Sequence, residues 1–241
     1  FFQNFRNILR AKLQFYALLI LQFKPSGAPR LHSGWLRLPA IPPEALQQYL
    51  SGAYRLDPFY QFQDTPQSGA MYRLSQIAPD RFFASEYYLQ YYRQTRLCDE
   101  LGLLCPLNTG GVAHLSLSRR VEAGLFKRKE IQCLQHYSPL LLELLKSHCT
   151  FRAAALPDAA LPPSRPLSHT IRTEAAETHG VRLTRRETQI SELVLQGHSN
   201  ASAALKLGIA YETAKVHRRN IYRKLGISSQ GELFALFKEV L

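Results

Sequence analysis

Between Tyr211 and Leu225 the chain carries two opposed stripes on what the spacing predicts to be a single helix, and few folds satisfy both. Ala214, His217, Ile221 and Leu225 recur at helical spacing, so they share a face that can pack against other helices. Glu212, Lys215, Val216, Arg219 and Arg223 follow the same period displaced by two residues, about 200° around the helix. A helix buried on one side and cationic on the other suits insertion into a DNA major groove. Phosphates are met by its basic residues, and base edges by those in its N-terminal half. Arg218 and Lys224 flank the cationic stripe and are expected to meet phosphates. A solvated surface helix is the alternative, and a basic face alone slightly favours it. The elements around the helix tip the balance.

Thr184 followed by Glu187 forms a capping box, which predicts a helix start. Ile190, Leu193 and Val194 supply its apolar stripe, and Gly197 supplies the left-handed residue that commonly ends a helix. A short helix from about Asn200 to Leu207 ends at Gly208, and the two-faced helix follows before Gly226. A second capping box, Ser229 to Glu232, announces a fourth helix with Leu233, Leu236, Phe237 and Val240. The order of short helix, glycine and basic helix is that of a helix-turn-helix.

At Leu183-Thr184-x-x-Glu187, Gly197-x-Ser199-Asn200, Leu207-Gly208-Ile209, Thr213-x-Lys215-Val216-His217 and Lys224-Leu225-Gly226-Ile227-Ser228-Ser229, the segment from Val181 to Leu241 resembles the LuxR/NarL/FixJ class of DNA-binding domains. The resemblance implies base or phosphate contacts for Lys215, Val216 and Arg219. Thr213, Arg218, Arg223 and Lys224 complete the expected DNA-binding set. It also implies a dimer contact through the fourth helix, which core packing could equally explain. Ala203, Ala210 and Ala214 depart from the class, which places a larger aliphatic, a Ser-type cap and a Val there. Each change is expected to cost about 1 kcal/mol or more.

Charge agrees with a polyanionic partner. Thirty Lys and Arg against eighteen Asp and Glu give +12 over 241 residues, though charge alone does not separate DNA from RNA or anionic lipid. The longest apolar run, Phe15 to Phe23, is interrupted by Gln22 and is far shorter than the roughly 20 residues a membrane helix needs. No membrane partner is expected. Cys98, Cys105, Cys133 and Cys149 show no metal-ligand spacing, so no metal or cofactor is expected, and reduced thiols in a cytoplasmic protein are the favoured reading.

Pro157, Pro162, Pro163 and Pro166 among Ala, Ser and Thr read as a linker over 150–180, separating a domain at 1–149 from one at 181–241. In the first, helical spacing covers Phe2 to Leu13, a strand Gln14 to Phe23, a hairpin partner His32 to Leu38, and a helix Glu44 to Tyr54. A helix from Pro79 to Gln94, strands Glu100 to Leu107 and Val112 to Arg119 joined by Asn108-Thr109-Gly110-Gly111, and a long helix Lys127 to Cys149 follow. The order predicts an α+β fold: an antiparallel sheet flanked by helices, then an all-α four-helix helix-turn-helix domain.

A regulator needs an input. No carboxylate follows the first strand to accept a phosphoryl group, no G-x-x-x-x-G-K-[ST] loop occurs, and nothing beside Cys98 or Cys105 guarantees a reactive thiol. A small-molecule pocket fits the aromatic crowding, with Trp35, Tyr54, Tyr72 and Tyr87 as lining candidates, although core packing is the commoner role of such residues. Leu56-Asp57-Pro58, Tyr72 and the two later strands make residues 1 to 149 similar to the GAF-like autoinducer-binding domain of LuxR-type quorum sensors. The resemblance implies that Asp57 accepts a hydrogen bond from a ligand amide, against an equally weighted role as a loop cap. Glu44 and Ala40 stand near where those receptors place Trp and Tyr, which leaves the ligand class open. The expected protein is a homodimeric transcription regulator that binds double-stranded DNA and a small effector and works with RNA polymerase. A ligand-independent regulator or antiactivator acting through protein pairing is the alternative, and no enzymatic role is expected.

Overall fold

The computed structural model describes residues 2–24, 27–37, 41–63, 69–108, 110–155 and 166–241. They form two units, one comprising Phe1–Tyr54, Phe59–Ile77 and Tyr92–Ser164, the other Arg55–Pro58, Ala78–Tyr91 and Arg165–Leu241.

The first unit is built on strands β1 (Ala17–Phe23), β2 (Arg30–Leu36), β3 (Ala70–Arg73), β4 (Leu97–Pro106) and β5 (Val112–Arg120). They pair antiparallel in the order β2-β1-β5-β4-β3. Helices α1 (Phe2–Arg10), α2 (Pro43–Ser51), α3 (Pro58–Phe62), α4 (Leu74–Ile77), α5 (Arg93–Thr95) and α6 (Arg128–Ala155) accompany the sheet, Pro58 being counted with the second unit. Pro43 occupies the first turn of α2, where its missing N–H costs nothing.

Alternation along the strands decides which side chains meet which layer. Leu18, Ile20, Leu101, Leu103, Leu115 and Leu117 cluster with Phe5 and Leu9 of α1 and with Leu134, Leu141, Leu142 and Leu145 of α6. The interleaved residues of the central strands are buried as well, so both faces of the sheet are covered. Arg119, 2% exposed, forks onto Glu130 of α6 at 2.6 and 3.0 Å.

Three expectations change. The region from Pro79 to Gln94 is not one helix: it breaks into a tight turn at Phe82–Ala84 and a wide helical turn at Tyr88–Tyr92 before α5. Ser85 causes the break, because its backbone is extended and its hydroxyl donates to Phe82 O at 2.6 Å and accepts from Tyr88 N at 3.2 Å. β3 was not foreseen: its four residues carry no usable periodicity and exist as a strand through pairing with β4. The span expected as linker contains the end of α6 and an eleven-residue helix, α7 (Leu167–Glu177); Pro157, Pro162 and Pro163 lie outside the described residues. Thr109 of the expected β4–β5 turn also lies outside them, while Gly110 and Gly111 take positive φ of 91° and 80° there.

The second unit gathers α7 with α8 (Arg185–Leu195), α9 (Asn200–Leu207), α10 (Tyr211–Leu225) and α11 (Gln230–Phe237). Ile171, Ala175, Ile190, Val194, Ala203, Ala214, Ile221, Leu233 and Phe237 are buried in it.

Candidate nucleic-acid interface

The local signals of the second unit form as the spacing requires. Thr184 Oγ1 accepts from Glu187 N at 3.2 Å and Glu187 Oε2 accepts from Thr184 N at 2.8 Å, completing the capping box of α8. Ser199 caps α9 by accepting from Ser202 N at 3.2 Å, and Gly208 ends it in the left-handed region at φ 61°. Ala210 stands at the cap of α10 with an extended backbone and no side-chain hydrogen bond, so one helix-terminal N–H lacks its usual side-chain acceptor. Ser229 caps α11 from Glu232 N at 3.1 Å, while the Glu232 carboxylate reaches Ser228 N at 2.8 Å instead of closing the reciprocal box.

The two stripes of α10 divide as expected. Ala214 and Ile221 are 1% exposed, and His217 and Leu225 are half-buried. Thr213, Lys215, Val216, Arg219 and Arg223 are exposed, with Val216 presenting 41% of its surface, an apolar side chain set among cations. Among the described residues Lys215 has a loose acidic neighbour, Glu212 at 3.8 Å. Two expected contacts are already engaged. Arg218 donates to Tyr222 Oη at 3.0 Å and to Asn200 Oδ1 at 3.3 Å, stacking over the Tyr222 ring. Lys224 pairs with Glu187 at 2.7 Å, which joins the end of α10 to the start of α8 and keeps that carboxyl charged although burial alone would raise its pKa. Arg218 and Lys224 therefore position the helix as well as adding charge.

Leu233 and Phe237 of α11 are wholly buried within the unit, so core packing accounts for them and leaves Leu236 and Val240 partly exposed. Sequence reasoning also missed a cleft of about 320 Å³ between α7 and α8, edged by Arg172 and Arg185. Arg172 lies inside the span read as linker and Arg185 beyond it, which hid their proximity.

The pattern of bacterial regulatory proteins of the luxR family matches residues 181–237. The chain is also 34% identical over 182 residues, 75% of its length and 92% of the relative's, to the Aeromonas salmonicida protein named "Putative HTH-type transcriptional regulator in exeN 3'region". The chain belongs to the luxR family of bacterial regulatory proteins. A shorter match, 47% identity over 51 residues, links it to the response regulator protein TodT of Pseudomonas putida, covering 21% of this chain and 22% of that one. Among solved structures, the VqsR LBD domain from Pseudomonas aeruginosa shares the fold at a TM-score of 0.54 and 24% identity, covering 63% of this chain and 87% of that one. The fold is α+β with a helical C-terminal module, as the order of elements predicts, and as a family member the chain is a DNA-binding transcription regulator.

Of the expected ligand-lining residues, Trp35 and Tyr72 are not brought together. Cross-strand register puts Trp35, Leu18, Leu117, Leu101 and Arg73 in one row and Gly34, Leu19, Ser116, Gly102 and Tyr72 in the next. Trp35 and Tyr72 therefore project from opposite faces, at opposite edges of the sheet. Trp35 packs edge-on to Phe15 beneath Arg6 and Arg10, on the face that carries α1. Tyr72 meets Phe62, and Tyr54 meets Tyr60 and Tyr49. Asp57 and Tyr87 are buried in the second unit, where Tyr87 stacks on Tyr91 with ring centroids 5.5 Å apart.

The sheet face that carries Tyr72 holds polar groups that sequence reasoning passed over. Glu100 is 5% exposed and accepts from Tyr92 Oη at 2.9 Å and Ser116 Oγ at 2.6 Å. His114, 1% exposed, lies beneath the Phe59 ring at 4.6 Å, and burial pushes its pKa down to about 3, so it is neutral. Gly102 is required under this stack: a Cβ there would collide with Phe59 and come 2.7 Å from His114 Nε2. Alternation of polar residues in β5 was the available signal, masked because those positions resemble a solvent-facing edge.

Proposed function

We propose that the chain acts as a homodimer that reads the major groove with the exposed side chains of α10. The observation that carries this is the separation of Lys215, Val216, Arg219 and Arg223, all exposed, from the buried Ala214 and Ile221 on the same helix. The two domains of the earlier division, 1–149 and 181–241, are read as sensor and DNA-binding module, with RNA polymerase as the machinery they regulate. A seam suited to a second copy runs along α6. Tyr137, Leu140 and Phe151 are 48%, 59% and 73% exposed, and with half-buried Leu144 they stand at intervals of three, four and seven residues along one face, as in a helix-pairing stripe. Binding of the full chain to a palindromic duplex, titrated with salt, tests the reading face. Lys215→Ala and Arg219→Ala are each expected to weaken binding by about 1–3 kcal/mol, and unchanged affinity in both overturns the assignment.

Control by a small effector is the further part of the proposal, supported by the fold shared with the VqsR LBD domain and by the aromatic and polar side chains gathered on the Tyr72 face. Tyr72 stands on that face against Phe62, and Tyr54 meets Tyr60, whereas Trp35 stands on the opposite face. A second reading, regulation by protein pairing without a ligand, is favoured by the closure of Phe59 over His114 and Gly102, which fills part of that face with the chain's own side chains. Native mass spectrometry of the protein from its own host separates them: a stoichiometric bound molecule supports the first, and an empty dimer the second. Catalysis has no part in either reading.

A further inference from the structure

Ser199 opens α9, and its backbone N–H lies at the positive end of the helix dipole. That donor is engaged by an anion of the chain itself: Ser199 N donates to Asp80 Oδ1 at 2.9 Å. The carboxylate is held in place by its neighbours. Arg81 N donates to Gly197 O at 2.9 Å, and Phe82 is wholly buried. Gly197 takes φ +94° and approaches so closely that a Cβ would stand 2.8 Å from Phe82 Cα. The segment Ala78–Tyr91 lies between β3 and β4 in the chain, yet it belongs to the same unit as the helix-turn-helix. Asn200, the next residue along α9, accepts from Arg218 Nη1 at 3.3 Å, and Arg218 adjoins Arg219 of the reading face.

In a helix-turn-helix the first helix crosses the DNA backbone, and backbone N–H groups at helix N-termini are ready partners for phosphate oxygens. We propose that Asp80 holds the place of a DNA phosphate at the N-terminus of α9 and thereby sets the affinity of the module for DNA. Tight binding then requires the carboxylate to leave Ser199 N–H to a phosphate. This rests on the reading of α10 as the DNA-contacting helix. The consequence is an affinity set from outside the helix-turn-helix motif, by a residue placed on the connection between two sheet strands.

Anisotropy titration of the full chain against a mixed-sequence duplex over a salt series tests the proposal. Asp80→Asn keeps a carbonyl acceptor for Ser199 N–H and removes the charge, while Asp80→Glu keeps the charge. Asp80→Asn is expected to bind about fivefold tighter at low salt, with the slope of log K against log salt steeper by about one, as for one more phosphate engaged. Asp80→Glu should stay within about twofold of the parent. Unchanged or weaker binding by Asp80→Asn, with melting like the parent's, overturns the proposal and leaves Asp80 a structural cap. Lys215→Ala run in parallel distinguishes the two failures: if it binds like the parent, the DNA face itself is wrongly assigned, whereas its loss beside no gain in Asp80→Asn sinks Asp80 alone.

Discussion

Arg119 is 2% exposed and surrounded by acceptors: Glu130 on both terminal nitrogens, Gln14 O at 2.8 Å and Leu125 O at 3.1 Å, with the Phe126 ring 4.0 Å from its guanidinium carbon. A buried guanidinium is tolerated only with such partners, so removing one exposes the full desolvation cost of the other. Glu130→Gln is expected to destabilise the chain by about 3 kcal/mol in urea denaturation. The pH dependence has a definite sign. Burial would raise the Glu130 pKa, but Arg119 and the Lys127 N–H hold it below the usual carboxylate value. Stabilisation from this group is therefore complete above its unfolded pKa and lost as pH falls through the folded one. The parent should lose stability on acidification more steeply than Glu130→Gln, and parallel curves would refute the linkage.

Among the elements, α10 is the one whose ends and faces the spacing specified most fully. Its weak point is Ala210, whose extended backbone, φ −67° and ψ 149°, already suits a capping residue. Ala210→Ser is expected to add about 1 kcal/mol by giving the first turn a side-chain acceptor, read as a higher melting temperature. Ala203 and Ala214 differ from that case. Both are 1% exposed between packed helices, so the smaller side chains are closed over by their surroundings. On α6, Leu140→Glu places a charge in the centre of the exposed seam while leaving buried Leu141 and Leu142 untouched. Sedimentation should show it shifted toward monomer with its helix content retained; an unchanged dimer would remove α6 from the interface. The breakdown of the expected helix at Pro79–Gln94 belongs to this scale too, since Ser85 diverts hydrogen bonds that a periodicity argument assigns to the helix ladder.

For the whole molecule, the +12 charge adds a long-range attraction to polyanions that no single contact explains. Binding to non-specific duplex should weaken steadily with salt, with a log–log slope near −0.9 for each phosphate neutralised. Lys215→Ala should reduce that slope by about one, and a flat salt response would contradict a phosphate-dominated interface. The helix-turn-helix was legible in the sequence because its determinants are local: Thr184 with Glu187, Ser199 with Ser202, Gly208 and Gly226 each act within a few residues. Caps and left-handed glycines need no distant partner, so spacing alone specified the helices and the exposed face of α10. The sensor half required pairings across the chain. Only the register of β1 with β2 and of β4 with β3 decided that Trp35 and Tyr72 occupy opposite faces, because one residue of slip reverses every side chain. Only the tertiary fold brought Asp80 to Ser199, 119 positions away, since hydrogen-bond partners at such separation leave no periodic trace in a sequence.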